Sequence, residues 1–403
     1  MSETNPPNRD TNLAPSLNLL RTLRLNLTNY EAVIYEKNTD VGGTWLENRY
    51  PGCRCDIPSH SYQFSWRPKH DWTNLHAGAD EIGAYLCQVW KMNPNNIILN
   101  EIEMDEKENF SQATIARFKS DPEFYRQFVK KVERDINNMF PIVLAQSPVQ
   151  IMARGMVKQY MQTMLQGNEE LWYLRAVVQP NVEVRRSSIK RFVPEGIELE
   201  SGEVLKVDVV VCATGFDTSF CPRFPIIGRN GNLQERWRKE TPKAYMSCAV
   251  DGLPNYVTFL GPNAPIGHGS VFTLTEHISK YIVSIIRKCQ TEGIKAMSPS
   301  RAAVDDYFEH ITAFMPRTVW GAPGGRSWFK NGRAEGPVTA LHPGSRIHFF
   351  HMLEQFRGED WEYVYEEGAR GNRFAYLGNG SSTKESGPDA DTTWYLDEEA
   401  VVR

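Results

Sequence analysis

Nothing in the 403-residue chain approaches the roughly 20 consecutive apolar residues that a bilayer-spanning helix needs, so no membrane span is expected. The segment Met1–Pro15 is polar and rich in Asn and Pro. It lacks the apolar stretch of a secretion leader, and the expected address is cytoplasmic. A strong charge excess is also missing. A formal net charge of -4 gives no electrostatic reason to expect nucleic acid or an anionic membrane as a partner. Cysteine is sparse and odd in number, seven along the whole chain, which excludes the disulfide framework of a small secreted protein. Cys53 and Cys55 are separated by one residue and project to opposite sides of an extended chain, so neither a bridge nor a metal pair is expected. The nine histidines offer one suggestive pair, His348 and His351, with no Cys or carboxylate at a metal-ligand spacing, and no metal is expected.

What is present is ordinary soluble-protein material, 41% apolar and 23% charged, long enough for two domains or one large one. No internal repeat is found. Ser16–Leu27 places Leu19, Leu20, Leu23 and Leu27 on one helical face, with Ser16 as N-cap. Ala32–Glu36 (AVIYE) predicts an apolar strand, turned by Val41, Gly42 and Gly43. Helix followed by strand is the second half of a βαβ unit, and the polar residues before Ser16 cannot supply the first buried strand.

Further along, Phe124, Phe128, Val132, Ile136 and Phe140 recur every fourth residue. They predict a helix over Asp121–Phe140, with Ser120 and Glu123 as a capping box. A Met-rich helix starting at Ser147 and Pro148 and running towards Leu171 reads as adaptable core packing. Ile197–Leu199 and Val204–Val211 flank a Ser201-Gly202 turn, a hairpin whose second arm should be a buried strand running into Cys212-Ala213-Thr214-Gly215-Phe216-Asp217. A third helix spans Ser270 to Cys289, with Gly293 beyond its end. Gly378–Asp391 is rich in Gly, Ser and Pro and reads as a tail.

Glu36, an acid closing a strand, can accept hydrogen bonds from a ribose hydroxyl pair, although a lone strand-end Glu is more often a solvated turn residue. Residues 41–66 read VGGTWLENRYPGCRCDIPSHSYQFSW, where Gly42 and Gly43 allow close backbone approach. Trp45, Tyr50, Tyr62, Phe64 and Trp66 offer flat faces to a ring system, and Arg49, Arg54 and Asp56 add charges beside them. An aromatic-rich structural loop would look the same.

These strings carry a resemblance. IYEKNTDVGGTWLENRYPGCRCDIPSHSYQFSW, together with FKSDPEFYRQF, NNMFPIVL, VVVCATGFDTSFCPRFPIIGRNG, NYVTFLGPNAPIGHGS, RSWFKNGRAEGPVTALHPGSRIHFF and WEYVY, resembles the Baeyer-Villiger-type flavin monooxygenases, particularly their fungal members. The resemblance implies an α/β, two-dinucleotide-binding (Rossmann-like) flavoprotein fold, truncated, with FAD and NADPH as cofactors. It also implies oxygen insertion beside the carbonyl of a small apolar metabolite. It places Glu36 on the FAD ribose, Thr44, Trp45, Leu46 and Glu47 along the flavin, and Tyr62 on FAD. Arg54, Cys55 and Asp56 fall at the flavin–nicotinamide junction, with Asp56 as the catalytic candidate. Thr214 and Gly215 resemble the motif joining the two nucleotide domains. Pro265, Gly267 and His268 resemble a loop near the flavin ring, and Trp328 a loop closing over NADPH.

Against this stands an absence. No G-x-G-x-x-G occurs anywhere in the chain, the pattern whose tight turn and following helix hold a pyrophosphate. One copy is expected ahead of Ser16, the other between about Ile98 and Ser111, where too few residues remain for a βαβ unit of roughly 30. The F-x-G-x-x-x-H-x-x-x-W string is missing too, as is the stretch after Glu170 that carries the family's catalytic Arg. Arg175 lies on the wrong side of that join and receives no role.

The expected division is residues 1–104 as part of an FAD-type domain without its first strand, 105–195 as a largely helical remnant of the NADPH-type domain, 196–378 as the rest of the FAD-type domain, and 379–403 as a tail. An unpaired apolar sheet edge would call for a covering partner. Two functions stay open, a monooxygenase by descent, or a non-redox, cyclase-like or binding scaffold that keeps the aromatic pocket.

Overall fold

The computed structural model describes residues 14–91 except 37 and 39–41, 109–164, 179–322 except 186, 327–366, and 372–396 except 383–384, 386–389 and 394–395. Val41, Arg175, the Ile98–Ser111 interval up to residue 108, the helix extension towards Leu171 and parts of the tail lie outside the described residues.

Ten helices and seven strands follow in order among the described residues. They are α1 (Ala14–Asn26), α2 (Thr44–Glu47), α3 (Ala79–Lys91), α4 (Gln112–Ser120), α5 (Pro122–Asn138), α6 (Pro148–Met164), β1 (Ile189–Val193), β2 (Gly196–Leu199), β3 (Val204–Lys206), β4 (Ile227–Gly228), β5 (Gly231–Asn232), α7 (Leu233–Lys239), α8 (Val271–Glu292), β6 (Ile294–Pro299), α9 (Arg301–Phe314), α10 (Arg346–Glu354) and β7 (Trp361–Tyr365).

The central element is α8. Ser270 caps it by accepting from the Phe272 amide at 3.2 Å, and Gly293, at φ 63°, ends it in the left-handed region that favours glycine. The predicted start and stop hold, with the helix running three residues past Cys289. Its faces feed separate clusters. Phe272 enters the aromatic cluster of Trp45, Phe64 and Trp72, while Leu274, Ile278, Tyr281 and Ile282 pack with Tyr245, Phe349 and Trp361. Val283 meets Leu23 and Leu27 of α1. Of the expected leucine face, Leu19, Leu23 and Leu27 pack in these clusters and Leu20 does not, and Ser16 lies inside the helix and is not its cap. Asn18 is buried on the same side, donating to Thr275 Oγ1 (2.8 Å) and accepting from Trp66 Nε1 (2.8 Å).

Several expectations are corrected. Asp121, not Ser120, caps α5, accepting from the Phe124 amide at 3.4 Å, because Ser120 closes α4. Phe140 falls in the 3-10 turn after α5. The residues Ile151, Met152, Met156, Val157 and Tyr160 of α6 are exposed, so this helix is not core packing. The described strands pair only antiparallel, in sheets β1-β2-β3, β4-β5 and β6-β7. Ala32–Glu36 forms no strand and is unpaired among the described residues, with Tyr35 93% exposed. The hairpin is found, yet its second arm stops at Lys206; Val207–Val211 continues as exposed chain, with Val211 84% exposed. Apolar residues alone do not make a strand. Its N–H and C=O groups need a neighbouring strand, and without one water serves them better. The expected sheet edge is therefore not formed by these segments.

His348 pairs with His342 (Nδ1 to Nε2, 3.4 Å) rather than with His351, which faces Glu354 at 3.5 Å. Burial pushes the His342 imidazole down to about 3, with the neighbouring His348 and His310 adding to it, and its Nδ1 has no partner among the described residues. In the unfolded chain this group takes its proton near 6.5. Between that value and about 3 the unfolded state binds more protons, so stability falls as pH falls. Urea denaturation across this window is expected to show up to ~1.4 kcal/mol lost per pH unit from this group, and His342→Gln should flatten the slope. An unchanged slope in the variant would contradict the assignment.

Candidate functional site

The aromatic segment is shaped by its first turn. Gly42 (φ 138°) and Gly43 (φ 51°) bend the chain into α2, where a Cβ on Gly42 would press on Leu46 Cβ at 3.1 Å. The turn buries Trp45 and leaves Thr44, Leu46 and Glu47 half-buried. Thr44 Oγ1 accepts from Asn48 Nδ2 at 2.8 Å. Glu36 and Glu47 converge on one residue: Asn38 donates its amide N–H to Glu36 (3.0 Å) and its side-chain Nδ2 to Glu47 (2.9 Å).

Residues 54–56 alternate as a bridged edge should. Arg54 bridges Gly78 and the Cys55 amide donates to Ala77 O at 3.0 Å, so Cys55 faces inward while Arg54 and Asp56 are exposed. Burial pushes the Cys55 thiol up. Cys53 and Cys55 are both free thiols.

The rings pack largely on one another. Tyr62 meets Trp45 edge-on at 5.5 Å and Phe272 at 4.7 Å, and Phe64 stacks on Trp66 at 4.8 Å. Phe64 is fully buried, whereas Tyr50 is exposed. Most of the flat faces read from the sequence are therefore core. Trp45 Nε1 is the exception with chemical potential, since it is buried and has no partner among the described residues. His60 sits among Phe110, Phe118, Tyr125 and Phe128 at ring separations of 4.9–5.4 Å, and burial pushes its imidazole well below the usual range.

The Pro265–Gly269 loop is held from α5. His268 Nε2 lies 2.8 Å from Ile136 O, its ring tilts against Phe140 at 5.6 Å, and burial lowers its pKa. Pro265 is buried and Gly267 exposed; a Cβ on Gly267 would press on Leu341 at 3.0 Å and Trp320 at 3.2 Å.

Sequence reasoning missed the group that joins these parts. Arg346, 1% exposed at the start of α10, donates Nε to Asn137 Oδ1 (2.7 Å) and Nη2 to Glu133, whose other oxygen accepts from Ser61 Oγ. A methyl group on Gly269 (φ 81°) would collide with its guanidinium. One side chain thus ties the aromatic segment, α5 and the Pro265–Gly269 loop to α10. The available signal was an Arg opening the otherwise apolar helix RIHFFHMLE.

Other sequence candidates are not gathered here. Thr214 and Gly215 lie on exposed chain outside the strands, with Gly215 at φ 73° and open space around it. Trp328 is 47% exposed, and its ring meets Phe329 at 4.5 Å.

No family model matches the chain. It is similar to FAD-binding monooxygenase stcW of Emericella nidulans, 27% identical over 512 aligned positions that cover 91% of this chain and 84% of that protein. It is also similar to a Baeyer-Villiger monooxygenase of Pseudomonas aeruginosa, 22% identical over 80% of this chain and 85% of that one. The alignment of 512 positions is longer than the 403-residue chain, so the Emericella protein carries long internal segments that this chain does not. Among solved structures, the closed form of cyclohexanone monooxygenase superposes with a TM-score of 0.66 at 17% identity, covering 88% of this chain and 98% of the other. An oxidized steroid monooxygenase bound to NADP gives 0.64 at 15% identity. The fold is accordingly the α/β fold of the two-dinucleotide-binding flavoproteins, in shortened form.

Proposed function

We infer that this chain, a shortened relative of the Baeyer-Villiger-type flavin monooxygenases, is by descent an oxidoreductase that inserts oxygen beside the carbonyl of a small apolar metabolite, but that the described chain keeps the frame of the site without the grip on its nucleotides. Kinship implies FAD and NADPH, and bound flavin would supply the oxygen-activating chemistry. The residues present do not fit the nucleotide portions of either cofactor. A dinucleotide is held at the carboxyl ends of paired parallel strands by a glycine loop and a helix N-terminus. The segments carrying Glu36 and Thr214-Gly215 lie outside the sheets formed by the described residues, and Glu36 is already turned onto Asn38. No G-x-G-x-x-G exists within the chain's 403 residues.

The single observation that carries this reading is the unpaired state of those two segments. The frame around them persists. In this reading Trp45, Tyr62 and the Pro265–Gly267–His268 loop form the side facing an apolar carbonyl compound, with the exposed Asp56 as the catalytic candidate. Residues 1–104 and 196–378 act as two parts of one domain, and 105–195 as the reduced helical one. Such a frame could serve as a carbonyl-binding scaffold without redox chemistry of its own.

Purified protein incubated with FAD and desalted is expected to be colourless, and added FAD is expected not to stimulate NADPH oxidation. A stoichiometric yellow flavin spectrum retained after desalting would overturn the proposal and restore an ordinary monooxygenase.

A further inference from the structure

Apart from the aromatic frame, a cavity of about 700 Å³ opens between the Asp217–Pro242 stretch, which includes α7, and the Lys330–Thr339 loop. Its walls carry five basic side chains, Arg223, Arg238, Lys239, Lys330 and Arg333, against three acids, Asp217, Glu240 and Glu335. One acid is partly neutralised from outside, since Glu240 faces Arg301 at 4.0 Å. The cationic excess is therefore concentrated in a concave site, where field lines focus, on a chain whose overall charge is negative.

Lys330 makes this more than a basic patch. It is 6% exposed, yet among the described residues no carboxylate pairs with it. Its ammonium donates to two neutral carbonyls, Ala322 O at 2.7 Å and Ala334 O at 3.4 Å. An ammonium has three N–H donors, so one remains for the cavity. A buried cation satisfied only by neutral groups is costly unless an anion completes it. Arg238, Lys239 and Arg333 likewise have no ion pair among the described residues, and Trp237, 9% exposed, gives the cavity an apolar wall.

We propose that this cavity binds a phosphate-bearing small molecule, held by Arg238, Lys239, Arg333 and the remaining N–H of Lys330. Guanidinium groups suit the task because their planar forks match phosphate oxygens in pairs. The proposal does not rest on the flavin reading, because none of these residues belongs to the aromatic frame. The same chemistry serves free phosphates and the phosphate end of a nucleotide.

Isothermal titration of the full chain with inorganic pyrophosphate and, separately, with ADP tests it. Binding of pyrophosphate is expected, weakening by about tenfold for each lost guanidinium in Arg238→Gln and Arg333→Gln. Both are exposed positions whose replacement leaves the fold intact. Tighter binding of ADP that the same variants weaken supports the site with a nucleotide as its ligand; equal or weaker binding of ADP supports a free phosphate compound. Lys330→Met should weaken binding as well, and if that variant fails to fold the two arginine variants still decide. Absence of heat with both ligands at millimolar concentration, or binding unaltered in the arginine variants, overturns the proposal.

Discussion

Replacing Arg346 with methionine is expected to lower the unfolding free energy by about 3 kcal/mol. The guanidinium is almost fully buried, whereas the Glu133 side chain it pairs with is 26% exposed, so removing the cation strands a partly desolvated carboxylate and also deprives Asn137 of its donor. Some of the loss is relieved by water reaching Glu133, which places the figure at the low end for a broken buried pair. Arg346→Lys should fall well short of wild type, because an ammonium is a point charge and cannot reproduce the fork that spans Asn137 and Glu133. The double variant Arg346→Met, Glu133→Gln should recover part of the stability, since no unpaired charge is then left behind. Urea denaturation measures all three. A single variant within about 0.5 kcal/mol of wild type would mean that the guanidinium holds nothing together.

Phe272→Ala is expected to cost about 3–5 kcal/mol, a range set by removing a fully buried aromatic side chain and leaving a cavity. Phe272 is 0% exposed and meets Tyr62 at 4.7 Å, Phe64 at 4.8 Å and Tyr85 at 6.4 Å. It stands in the first turn of α8, directly after the Pro265–Gly269 loop. Its loss should therefore loosen the aromatic segment where that segment meets the loop, not only lower stability. Phe272→Leu, which keeps much of the volume, should cost far less. If alanine and leucine behaved alike, the rings around Phe272 would be filling space loosely rather than setting the position of Tyr62.

The parts of this molecule that could be read from its residues are those whose signals are local. Ser270 and Gly293 bracket α8 because capping chemistry acts within one turn, and the leucines of α1 announce a face because helical spacing puts them there. Asn38, which gathers Glu36 and Glu47, also lies within a dozen residues of both, although its role was not anticipated. What could not be read depends on distant partners. The apolar runs Ala32–Glu36 and Val207–Val211 have strand composition, but whether they become strands is decided by neighbours that the described chain does not offer. Met152 and Met156 of α6 look like core residues until the rest of the described fold fails to cover them. Arg346 was illegible for the same reason, since Asn137 and Glu133 are 209 and 213 positions away along the chain.

The position of α8 has a consequence for how such a chain can change over time. Three buried clusters each lean on a different stretch of that one helix, the aromatic group on Phe272, the Tyr245 group on Leu274 to Ile285, and the α1 leucines on Val283, with Leu19 and Ile286 shared between the last two. A spine of this kind uncouples the fate of the limbs. Material can be pruned from between the surrounding elements without setting the survivors adrift, because each is fastened to the same axis and not to the piece that was lost. Kinship to longer proteins can then persist in three dimensions although long internal segments of those proteins have no counterpart here.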